Sequence, residues 1–231
     1  LILGWGLYDQ YVVRPNRPVA TVYGVPIRLE TYQKMVKYWR WRYRNDLDYL
    51  EAQKRQFSSG DESQAFLVQY IDQQIRSVQS QLINLDMATL ERLIEEQITR
   101  QECARRGITV SEEEIQLKLE KDFGYDRNPP TPEPITATLP ITVTPTPTVA
   151  PMTKEQFEAQ FARWSKAVNE ASGLSAADIR RMVEGTLLRQ KLEEAIAATV
   201  PTTAEQVRAR HILLKTREEA EQALARLRGQ T

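Results

Sequence analysis

The stretch ETYQKMVKYWRWRYRNDLDYLEAQKRQ, residues 30–56, decides the class of the fold. Tyr32, Met35, Val36, Trp39, Tyr43, Leu47 and Leu50 recur at steps of three and four, so a helical backbone brings them to one face. No glycine or proline interrupts the run. Arg42 and Asp46, and Arg44 and Asp48, lie four apart and can pair across a turn. The spacing predicts one long amphipathic helix, closed by the break at Ser58-Ser59-Gly60-Asp61.

Outward toward the C-terminus, helical periodicity resumes over about 64–106 with Phe66, Tyr70, Ile71, Ile75, Val78, Leu82, Leu85, Leu90, Leu93, Ile94 and Ile98. That is long for one helix. A bend is expected near Asn84–Thr89, with Asp86 or Thr89 as its cap, and Gly107 as the terminator. Ser111 followed by Glu114 reads as a capping box ahead of a short helix carrying Ile115, Leu119 and Phe123. Thr153 and Gln156 form another, before a helix with Phe157, Phe161, Trp164 and Val168. Gly173 ends that helix; Ser175 to Asp178 caps the next, which bears Ile179, Met182, Val183, Leu187 and Ile196.

Residues 128–151 differ in kind. Eight of these 24 residues are Pro and seven are Thr, with Glu133 as the sole charge, which excludes helix and offers nothing to hold a core. The segment reads as an extended, disordered spacer inserted between two helices; O-linked sugars on the threonines are the alternative use.

Before the long helix, residues 18–27 read as a small β-hairpin turning at Tyr23-Gly24. A two-stranded hairpin is marginal alone and must pack on the helices. Residues 1–17 open on Leu1-Ile2-Leu3-Gly4-Trp5-Gly6-Leu7, with Tyr8, Tyr11, Arg14 and Arg17 behind. Seven apolar residues cannot span a bilayer, which takes about 20. Two readings are open: the end of a membrane anchor with interfacial aromatics, or a short piece packed on a helix. At the other end, Arg208 to Lys215 can alternate as a strand with Ala209, His211 and Leu213 on one side. Thr216 and Glu219 then cap a helix with Ala220, Ala223, Leu224 and Leu227.

Composition narrows the function. Lys+Arg and Asp+Glu are both 31, which argues against a general nucleic-acid binder. One cysteine, Cys103, excludes a disulfide framework and a thiolate metal site within these residues. One histidine, His211, excludes a two-imidazole site. Nine glycines without a glycine-rich loop leave no phosphate cradle.

Three motifs in this order resemble the SurA/PrsA-type foldases. Val19-Ala20-Thr21-Val22-Tyr23-Gly24-Val25-Pro26-Ile27 before a long helix is similar to their opening, and so is Gly107-Ile108-Thr109-Val110-Ser111-Glu112-Glu113-Glu114-Ile115. Ala209-Arg210-His211-Ile212-Leu213-Leu214 followed by Glu218-Glu219-Ala220-Glu221 resembles the first strand and helix of a parvulin (PpiC-type) rotamase domain. The family usually has Asn where Tyr23 stands and Ser or Thr at Arg28, departures that touch turn and cap quality rather than chemistry.

The resemblance implies a mainly α fold: a SurA N-terminal-like helical chaperone domain with a small β-hairpin over 18–200, interrupted at 128–151, then an incomplete α+β parvulin unit over 201–231. It implies an extracytoplasmic folding factor, held at the membrane by an N-terminal helix, that binds unfolded polypeptide clients without ATP. The parent protein would be a peptidyl-prolyl cis-trans isomerase needing no metal and no cofactor. His211 maps onto the first histidine of the family's active site; the rest of that site has no counterpart in these residues. A non-catalytic holdase and a membrane-tethered helical scaffold are the alternatives.

Two further features carry double readings. Trp41 projects away from the Trp39 face, among Arg40, Arg42 and Arg44, and either lines a client groove or packs on a neighbouring helix. The run Lys34, Lys37, Arg40, Arg42, Arg44 either meets lipid phosphates or acidic clients, or is a solvated face balanced by Asp46, Asp48 and Glu51. Cys103 reads as an inert, partly buried thiol.

Overall fold

The structure is a computed structural model that describes residues 14–58, 64–128, 151–199 and 214–229. It divides into two units, Leu1–Ala195 and Ile196–Thr231. The chain is mostly helical, with one antiparallel hairpin among the described residues.

In the first unit, a single helical turn at Arg14–Asn16 leads into strand β1 (Pro18–Val22), which pairs antiparallel with β2 (Val25–Arg28). Val22 faces Val25 across the two-residue turn, in which Tyr23 has φ 48° and Gly24 φ 84°. Two positive φ values match the right-handed strand twist, which is why a glycine stands at the second position. Val22 and Ile27 are buried in the core, so the hairpin packs on helices as its size requires. Gln101 Nε2 ties it down further by donating to the Val22 carbonyl at 2.9 Å.

Helix α1 (Leu29–Ser58) matches the expected long helix but buries two faces, not one. Met35 and Tyr38 join the main core with Leu93, Ile115, Leu119, Val168, Leu174 and Ile179. Val36 and Tyr43 enter a second cluster around Leu85, which is 1% exposed. Tyr38 falls outside the expected apolar series and is nonetheless buried, because α1 is packed from more than one side. The expected Arg42–Asp46 and Arg44–Asp48 pairs do not form. Lys34 pairs with Glu30 at 2.6 Å, Lys54 with Asp72 at 2.5 Å on the next helix, and Arg40 with Asp86 at 3.4 Å.

The bend falls where expected, at Asn84, between α2 (Ala65–Ile83) and α3 (Leu85–Arg106). Neither Asp86 nor Thr89 caps it. Asp86 turns outward to Arg40, and Thr89 has no exposed surface at all. Asn84 holds the corner instead, donating from Nδ2 to the Ser80 carbonyl at 3.3 Å. At the far end of α3, Gly107 has φ 70°; its N–H reaches the Ala104 carbonyl and that of Ile108 the Cys103 carbonyl, at 3.3 and 2.9 Å. Those two bonds make a Schellman ending.

Helix α4 (Glu112–Asp122) and α5 (Lys154–Ser172) start on the reciprocal capping boxes expected at Ser111/Glu114 and Thr153/Gln156. Ser175 and Asp178 exchange the same pair of bonds ahead of α6 (Ala176–Ala197), at 2.8 and 3.2 Å. Phe123, just past α4, stands edge-on to Phe157, Phe161 and Trp164 of α5, with ring centroids 5.5–5.9 Å apart. The helices flanking the Pro/Thr stretch therefore pack together in one unit. Of that stretch, residues 129–150 lie outside the described residues.

In the second unit, α7 (Arg217–Arg228) is preceded by Thr216, whose hydroxyl accepts from Glu219 N–H at 3.3 Å. The Glu219 carboxylate takes the Lys215 N–H rather than that of Thr216, so half of the expected box forms. The expected strand over 208–215 lies, but for Leu214 and Lys215, outside the described residues. So do residues 1–13. Among the described residues, no helix is long and apolar enough to cross a membrane.

Candidate functional site

A cleft of about 1040 Å³ opens in the first unit where α1, α3, α4, α5 and α6 converge. Its lining is aromatic and thioether-rich: Met35, Tyr38, Trp39 and Trp41 from α1, Trp164 from α5 and Met182 from α6. Polar groups stand among them, with Asn45 and Asp46 on α1, Arg92 and Glu96 on α3, Gln160 on α5 and Arg189 on α6. The volume is at the upper end of what compact ligand sites enclose, roughly 300–1,000 Å³.

Helix phase explains the lining. Tyr38 and Trp41 are three apart on α1 and share a face, and their rings lie 6.4 Å apart. Trp39 points to the adjacent flank, edge-on to Tyr38 at 5.2 Å and tilted over Tyr43 at 5.9 Å. Trp41 is thus half-buried against the core and also lines the cleft.

The charged part is built across elements. The Arg92 guanidinium lies 4.4 Å from the Trp39 ring centroid and that of Arg42 lies 5.5 Å from it. Arg92 Nη2 donates to the Tyr43 hydroxyl at 3.1 Å. Arg92 Nη1 and Trp39 Nε1 are both buried without an acceptor among the described residues. Arg92 carries no sequence signal of its own, since one arginine on an amphipathic helix reads as solvated. Only the packing of α3 on α1 brings it over the indole.

A second, smaller cleft of about 390 Å³ lies between the hairpin, α1, α3 and α6, lined by Arg28, Thr31, Arg100, Asp178 and Arg181 among others. Its Arg100 and Asp178 are bonded within the protein. Arg100 bonds Glu96 at 2.9 Å, Glu184 at 2.7 Å and the Arg181 carbonyl at 2.7 Å. Burial works to raise the Asp178 carboxyl, but the Ser175 N–H and hydroxyl bring it below the ordinary range. Two other acids are lowered by ion pairs. Arg105 and Arg106 hold Glu102 down to about 2, and the Arg127 guanidinium lowers buried Glu120. These are structural pairs, not an acid–base couple poised for proton transfer.

Cys103 is 1% exposed, its Sγ 3.4 Å from the Leu188 carbonyl, and burial raises its thiol above the usual value. That makes it a small core residue with little thiolate. No group of three or more His, Cys, Asp or Glu able to hold a metal occurs among the described residues. His211 lies outside the described residues. No family model, no curated protein and no solved structure matches the chain.

Proposed function

We propose that the first unit is an ATP-independent chaperone module that binds unfolded polypeptide in the aromatic cleft. On this reading the chain belongs to an extracytoplasmic, membrane-anchored folding factor whose parent is a peptidyl-prolyl cis-trans isomerase. The observation that carries the proposal is the cleft itself, with Tyr38, Trp41 and Trp164 among its lining and methionines between them. Unfolded clients expose varied apolar side chains. A groove of rings and flexible thioethers accommodates many of them by dispersion and area burial, without demanding one geometry. Such binding is weak, reversible and independent of nucleotide.

The isomerase part rests on the family resemblance at Ala209–Leu214 and Glu218–Glu221. Rotation about a peptide bond meets a barrier of about 18–20 kcal/mol. A catalyst need only prefer the twisted amide, each ~1.4 kcal/mol of preference giving tenfold. In that scheme His211 shapes the floor of a proline pocket and takes no part in covalent chemistry.

The test is light scattering by a thermally unfolded client, with no nucleotide present. Equimolar chain should suppress aggregation, and Trp41→Ala combined with Trp164→Ala should weaken suppression while the fold persists by circular dichroism. Unchanged client aggregation in the presence of the wild-type chain would refute the proposal.

A further inference from the structure

Arginines and lysines that are half-buried in this molecule are neutralised by carboxylates. Lys34, Lys54, Arg100, Lys118, Arg180 and Lys191 each contact an Asp or Glu. Among the described residues Arg92 is the exception. It is half-buried, lines the cleft, stacks on Trp39 and reaches the Tyr43 hydroxyl, but has no carboxylate partner. Its Nη1 and the neighbouring Trp39 Nε1 are donors shut off from water with nothing to donate to. Arg42, over the same indole, has no carboxylate partner either. This corner of the cleft thus holds two guanidiniums and two orphaned N–H donors around one ring. Buried donors left without acceptors are rare, and the cleft-lining surfaces of Arg92 and Arg42 beside them offer positive charge that no carboxylate among the described residues offsets.

We propose that Arg92, with Arg42 and the Trp39 indole, is the docking point for a side-chain carboxylate carried within an apolar segment of the client. The proposal rests on the polypeptide-binding reading and gives it a client class: apolar stretches punctuated by Asp or Glu, in preference to neutral or basic ones. The charge complementarity is local, because the chain as a whole carries no net charge to attract acidic clients at long range. A side chain, not a chain terminus, is the occupant, since an unfolded client offers many internal carboxylates and one terminal one.

The test uses the full 231-residue chain and amidated, fluorescein-labelled peptides of one aromatic-rich sequence that differ only at a central Glu, Gln or Lys. Fluorescence anisotropy at low salt reads affinity. A charge-assisted hydrogen bond in a half-buried site predicts that the Glu peptide binds about tenfold tighter than the Gln peptide, with Lys weakest. Arg92→Gln should shrink the Glu-over-Gln ratio to within about twofold, whatever it does to overall affinity, whereas Arg189→Gln at the same cleft should preserve the ratio. Equal binding of the Glu and Gln peptides by the wild-type chain overturns this inference and leaves the chaperone reading standing. Failure of all three to bind overturns both. A Gln peptide with a free C-terminal carboxylate that gains affinity, while the amidated Glu peptide does not, moves the site to chain termini and refutes the proposal as stated.

Discussion

Thr89 lies inside α3 with 0% of its surface exposed, and its Oγ1 has no partner among the described residues. A hydroxyl removed from water without a hydrogen bond costs about 1–3 kcal/mol. Valine keeps the β-branch and nearly the volume, replaces the hydroxyl by a methyl, and has a similar helix propensity. Thr89→Val should therefore raise the unfolding free energy by about 1–2 kcal/mol. At roughly 2–4 °C per kcal/mol for a domain of this size, the melting temperature should rise by about 2–8 °C. Thr89→Ser is the counter-experiment. It keeps the unpaired hydroxyl, deletes the methyl and leaves a small void, so it should lose about 1 kcal/mol. Urea unfolding followed by circular dichroism measures both, and an unchanged slope against denaturant shows that the change lies in the native state. If Thr89→Val destabilised by about 1 kcal/mol or more, the hydroxyl would be bonded in the native protein and the reasoning would fail.

Three further substitutions probe the scaffold. A Cβ at Gly185 would meet Glu96 Oε1 at 3.1 Å, and Glu96 is held by Arg100, so Gly185→Ala should be neutral or harmful in the wild-type chain. In a Glu96→Ala background the same change should stabilise by about 0.5–1 kcal/mol through helix propensity, and equal effects in both backgrounds would remove the steric argument. Tyr23 is 82% exposed at φ 48°, so Tyr23→Asn should stabilise by about 0.5–1 kcal/mol at no loss of packing; a fall in thermal midpoint would show that the ring has a partner. Glu120 titrates below its ordinary value because of Arg127. Its folded pKa is thus lower than its unfolded value of about 4.3, and its contribution is present above that pH and lost as acid carries the solution through the folded pKa. The gap in melting temperature between wild type and Glu120→Gln should be widest near neutrality and close on acidification; a gap independent of pH would assign the effect to shape alone.

Local chemistry was legible in the sequence and non-local chemistry was not. The boxes at Ser111, Thr153 and Ser175 form because the partners sit three residues apart and need nothing else. The turn at Tyr23-Gly24 and the stop at Gly107 are legible for the same reason. The corner at Asn84 is legible but its cap is not, because the burial of Thr89 depends on what packs against α3. The Arg42–Asp46 and Arg44–Asp48 pairs expected within α1 do not form: Arg42 lies over the Trp39 ring, and the cross-helix pairs that do form use Lys54 and Arg40 instead. The same limit hides the candidate site: Trp41 stands out in the sequence, while Arg92 gains its place only because another helix lays Trp39 beneath it.

Met35 and Val36 are neighbours in the chain yet belong to different clusters. A helix with a single buried stripe tolerates slippage by sliding along its partner. A helix gripped on two flanks behaves as a key cut on both edges. One residue inserted between Tyr32 and Met35 would turn everything beyond it by about 100° and unseat both clusters together. Along this span, then, side chains can be exchanged but the count of residues is fixed, and insertions or deletions should be purged there more stringently than substitutions.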